Sequence, residues 1–65
     1  MEDFRQYYLS AMEYCKKGDF KNGISDFDKA IAINPNHIES LYNRAKAKFK
    51  IRLFSECLAD FDLAL

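Results

Sequence analysis

Apolar residues recur at steps of three and four along most of the 65-residue chain. Phe4, Tyr7, Tyr8, Ala11, Tyr14 and Cys15 make one stripe. Phe20, Ile24, Phe27, Ala30 and Ile31 make a second, and Ile38, Leu41, Tyr42, Ala45 and Phe49 a third. Such spacing places apolar side chains on one face of a helix. Only the stretch RAKAKFKIRL, residues 44–53, reads differently, because its charged and apolar residues alternate as in a half-buried strand. Yet the third apolar stripe runs through it, and residues two apart on a helix diverge by about 200°. Arg44 and Lys48 therefore leave on one flank, and Lys46 and Lys50 on the other. Helix is the consistent reading.

The stripes are punctuated. At Lys17-Gly18-Asp19, glycine suits a left-handed helix end and aspartate can cap the next N-terminus. At Asn34-Pro35-Asn36, proline ends a helix, and Asn36 is expected to cap the next one. Four helices follow, near residues 3–17, 20–33, 37–51 and 54–65, with no strand. The expected fold is all-α: two stacked antiparallel helix-turn-helix hairpins.

The second hairpin restates the first. Shifted by 34 residues, FKNGISDFDKAI (20–31) falls on FSECLADFDLAL (54–65), with Phe20/Phe54, Asp26/Asp60, Phe27/Phe61, Asp28/Asp62 and Ala30/Ala64 identical. The register extends back through Tyr8/Tyr42, Ala11/Ala45 and Lys16/Lys50. A fixed period in this range marks stacked supersecondary repeats.

The pattern resembles the tetratricopeptide repeat (TPR), a 34-residue helical hairpin. Its signature positions are held in the first unit by Tyr7, Ser10, Ala11, Tyr14, Phe20, Gly23, Phe27, Ala30 and Pro35. In the second they are held by Leu41, Arg44, Ala45, Lys48, Phe54, Cys57, Phe61 and Ala64. The resemblance implies a single domain over 1–65, with repeat 1 at about 4–37 and an incomplete repeat 2 at about 38–65. Ala11, Gly23 and Ala30 sit where the helices must approach closely. Lys48 stands where the family has an aromatic and Arg52 where it has the turn glycine, so a less regular second hairpin is expected. Repeats bury their faces only against neighbours. The chain is therefore expected to be a piece of a longer array, or to assemble with copies of itself.

Composition narrows the chemistry. The chain has no valine and no threonine, two cysteines without metal-ligand spacing, and zero net charge. Free thiols in a charged chain suggest the cytoplasm or nucleus. The lone His37 lies at a helix start, suited to a surface or capping role, and no serine has a glycine elbow or nearby base. Asp26/Asp28 and Asp60/Asp62 are two apart on a helix, so each pair diverges and cannot share a metal or reaction centre. No catalytic, cofactor or metal site is expected. The basic helix 44–52 offers an alternative, RNA binding, but the cations split between two flanks and no net charge supplies long-range attraction.

Function then rests on what the resemblance implies: a non-catalytic scaffold or adaptor holding a partner's peptide in the groove lined by the first helix of each unit. The residues facing that groove would be Arg5, Tyr8, Met12, Cys15, Lys16, Glu39, Tyr42, Asn43, Lys46, Phe49 and Lys50. Aromatic anchors beside lysines suit an acidic segment. Co-chaperones of the family grip a terminal carboxylate through positions held here by Tyr8, Met12 and Asn43, of which only Asn43 fits. The alternative is a self-associating structural repeat. Its uncovered end would carry Arg44, Lys48, Leu58, Phe61 and Leu65, with Arg44 and Lys48 reaching Asp60 and Asp62 of a neighbouring copy.

Overall fold

The computed structural model describes residues 3–56, 58 and 60. They form α1 (Phe4–Lys16), α2 (Phe20–Ile33) and α3 (Ile38–Lys50), with a further helical segment at residues 54–56, 58 and 60. No strand occurs among the described residues. The architecture is the expected all-α stack, with the first three helices within one residue of their predicted bounds.

Small residues set the distance between α1 and α2. Ala11, Gly23 and Ala30 are buried, and Phe27, completely enclosed, fills the space beside them. A methyl group on Gly23 would lie 2.6 Å from Cys15 Sγ and 3.2 Å from the Ala11 carbonyl oxygen. A side chain there would have to displace the Cys15 thiol and crowd the α1 backbone. On α3, Leu41, Ala45 and Ala47 close the core from the other side.

The two intra-unit turns match bond for bond. Lys17 donates to the Glu13 carbonyl, Gly18 to Cys15 and Asp19 to Tyr14. Thirty-four residues on, Ile51 donates to Ala47, Arg52 to Phe49 and Leu53 to Lys48. Gly18 has φ +82° and Arg52 φ +67°. The second turn thus keeps the backbone path of the first; much of the rest of the second hairpin, expected to be less regular, lies outside the described residues. Its backbone bonds hold Arg52 in the left-handed region that glycine occupies without cost. Asp19 caps α2 as expected, accepting from the Asn22 amide.

At the inter-unit turn the cap is His37, not Asn36. The Asn34 side chain accepts from the Asn36 amide and the Asn34 carbonyl from the His37 amide, so the turn runs one residue further. His37 makes no side-chain cap bond. Its Nδ1 pairs with Ser40 Oγ at 2.6 Å, and its ring packs against Phe4 and Tyr8, with centroids 4.8 and 5.1 Å away. It locks the start of α3 onto the start of α1.

Polar contacts repeat with the same period. Ser10 Oγ donates to Asp26 Oδ2 at 2.6 Å, and the equivalent Arg44 donates to the equivalent Asp60 through Nε and Nη2, both at 2.7 Å. Arg44 Nη1 also reaches back to Asp28 Oδ1 at 2.7 Å, bonding α3 to α2. Asp26 and Asp28 therefore diverge as predicted, one toward α1 and the other toward α3. Asp26 also meets Lys29, at 3.8 Å.

Candidate functional site

The cations of α3 separate by flank. Arg44 is bound to Asp28 and Asp60, while Lys48, where an aromatic was expected, lies 3.1 Å from Asp60 and 3.5 Å from Glu56. All of these acids belong to the same chain, so within one copy Arg44 and Lys48 are already paired, where acids of a neighbouring copy had been the expected partners. The reason is reach: a basic side chain on α3 finds the carboxylate 16 residues on, within its own hairpin. Burial by itself would raise the Asp60 carboxyl. Hydrogen bonds and charge from Arg44 and Lys48 outweigh that and hold it below the ordinary carboxylate range. Phe61, Asp62 and Leu65, also assigned to that end, lie outside the described residues.

The other flank opens on a cleft of about 240 Å3 between α1 and α3. From α1 come Met12, Cys15 and Lys16, and from α3 come Asn43, Lys46, Ala47 and Lys50. Phe20 and Phe27 of α2 supply the floor. Six of the predicted groove residues are thus brought together: Met12, Cys15, Lys16, Asn43, Lys46 and Lys50.

The rest stand elsewhere. Arg5 pairs with Asp3 at the start of α1, with Nε and Oδ2 3.1 Å apart. Tyr8 turns inward, its ring 6.0 Å from Phe27 and edge-on to His37. Glu39 lies at the N-terminal end of α3, 3.8 Å from His37 Nε2. Tyr42 and Phe49 are exposed but flank the cleft rather than line it: Lys46 Nζ sits over the Tyr42 ring, and Phe49 packs edge-on against Phe54.

Phe20, Phe27 and Ala47 were not foreseen as lining. By sequence, Phe20 and Phe27 belong to the packing stripe of α2. Ala47, the small residue between Lys46 and Lys48, was the available signal, since a short side chain there leaves room between the two lysines.

The Cys15 thiol is pushed up by burial and then by the Asp19 carboxylate, so it stays protonated and a poor nucleophile. Among the described residues no three potential metal ligands cluster, and no helix is long and apolar enough to cross a membrane.

A sequence profile of the tetratricopeptide repeat matches residues 4–37, more than half the chain. The chain belongs to the tetratricopeptide repeat family. Among curated proteins it is similar to the mitochondrial import receptor subunit TOM70 of Homo sapiens, Rattus norvegicus and Mus musculus. It is 35% identical to each over 60 residues, which is 92% of this chain. The chain spans about a tenth of the length of these relatives. No solved structure gives a significant match. Membership of the TPR family points to a protein-interaction repeat; α1 and α2 form the matched unit, and α3 follows it.

Proposed function

We propose that the chain is a non-catalytic adaptor or scaffold module that holds a segment of a partner protein in the groove between α1 and α3. The observation that carries this reading is the cleft itself: an apolar floor from Phe20 and Phe27 under a rim of lysines. An apolar pocket ringed by a few polar groups is the usual form of a binding site. The relatives, named as import receptor subunits, fit a module that binds other proteins. We place its action in the cytoplasm or nucleus, in keeping with the free thiol of Cys15.

Selection from a random peptide display library on the 65-residue chain tests this. Recovered peptides should bind the parent chain and Lys21→Glu, on the exposed side of α2, but not Asn43→Trp, which puts an indole into the cleft. Peptides that bind all three alike would place recognition elsewhere.

A further inference from the structure

We infer, resting on the groove reading above, that the cleft selects an internal acidic segment: one apolar side chain on the floor, carboxylates on either side of it at the rim.

The partition of charge carries the first half of this. Net charge over the chain is zero, and Arg44 and Lys48 are bonded to Asp28, Asp60 and Glu56. Lys16, Lys46 and Lys50 all line the cleft, and among the described residues none of them has a carboxylate within 4.0 Å. The internal pairing thus cancels one flank of α3 and leaves three cations around one opening. Lysines at a rim keep their ammonium groups in water while their stems extend the apolar wall. They attract carboxylates without drawing them inside.

The floor carries the second half. It is built from Met12, Phe20, Phe27 and Ala47, so a charged head group placed there would lose its hydration without replacement. An apolar cavity of about 150 Å3 holds one benzene ring. At about 240 Å3, this cleft has room for a single leucine or phenylalanine side chain. A terminal carboxylate has no pair of directed donors here, because the one amide on the lining, Asn43 Nδ2, already gives one of its two hydrogens to the Glu39 carbonyl at 2.8 Å. The segment is therefore internal, not a chain end.

Fluorescence anisotropy on the 65-residue chain tests the inference with labelled, acetylated and amidated octapeptides. The acidic probe is Asp-Glu-Asp-Leu-Phe-Asp-Glu-Asp. One control replaces its acids with Asn and Gln, and another replaces Leu-Phe with Ser-Ser. The acidic apolar probe should bind at least about tenfold more tightly than the Ser-Ser control, which lacks the buried anchor. It should bind about tenfold more tightly than the Asn/Gln control, the sum expected of three rim pairs. The variant Lys16→Glu/Lys46→Glu/Lys50→Glu should lose that advantage while keeping its helical circular dichroism. Lys21→Glu should retain it.

Equal binding of the Asn/Gln control would overturn the acidic selectivity and leave the groove reading standing. Equal binding of the Ser-Ser control would remove the apolar anchor, and a tenfold gain from a free C-terminus would remove the internal segment. Binding of a uridine octanucleotide more tightly than any peptide would make the lysine rim a phosphate site instead. If none of the peptides binds, this inference falls, and the display selection judges the groove on its own.

Discussion

Arg44 is the residue on which the contact between the units turns. It donates to Asp60 of its own unit and Asp28 of the unit before, and the Asp60 carboxylate is only 5% exposed. In Arg44→Ala, Asp60 keeps only Lys48. Hydrogen bonds to charged groups contribute about 1.5–3 kcal/mol, so urea denaturation should show a loss of about 2 kcal/mol. The same carboxylate sets a pH dependence. Its folded pKa lies below its unfolded value, so its contribution is complete above the unfolded value, about 4, and is lost as pH falls through the folded one. The stability difference between the wild-type chain and Asp60→Asn should be constant at neutral pH and shrink below about pH 4. An unchanged difference down to pH 2 would show that the Arg44–Asp60 contact carries no net stability. The sequence showed Asp26 and Asp28 diverging, and it showed Arg44 on a flank. It did not show that Asp28 and Asp60 converge on Arg44, because that contact depends on how one hairpin sits against the next.

Among the helices, period and punctuation were enough. Gly18, Asp19 and Pro35 marked the ends of α1 and α2, and the buried small residues Ala11, Gly23 and Ala30 lay where the repeat pattern put them. The cap of α3 was misplaced by one residue, since Asn34 bonds both Asn36 and His37 and no single-residue propensity contains that turn. Arg52 breaks the glycine rule, but the three backbone bonds around it are those of the first turn, so the chain tolerates the strain rather than changing shape. Left-handed backbone costs a residue with a side chain roughly 1–2 kcal/mol, partly offset because glycine is freer when unfolded. Arg52→Gly should therefore stabilise by about 1 kcal/mol and raise the melting temperature by about 5 °C. Gly18→Ala should do the reverse by a similar amount. A Cβ at Gly18 meets nothing within 4 Å, so its effect is purely of the backbone. Destabilisation by Arg52→Gly in calorimetry would mean that the Arg52 side chain outweighs its φ.

At the scale of the whole molecule, the result is a sorting of charge. A neutral chain places Arg44 and Lys48 against its own acids and turns Lys16, Lys46 and Lys50 toward one apolar-floored cleft. Six cleft residues were legible because the repeat resemblance implies a groove lined by the first helix of each unit. Tyr8 was not separable from them, since its ring could turn either to the groove or to Phe27, and core packing decides that. Phe20 and Phe27 were legible only as core, because their place beneath the cleft depends on the gap between α1 and α3. The most direct measurement is amide chemical-shift mapping of the isotope-labelled chain during titration with the acidic apolar octapeptide. The account predicts saturable shifts confined to Met12, Cys15, Lys16, Phe27, Lys46, Ala47 and Lys50, with Lys21, Ser25 and Lys29 on α2 unmoved. Shifts centred on those α2 residues, or spread evenly over the chain, would contradict it.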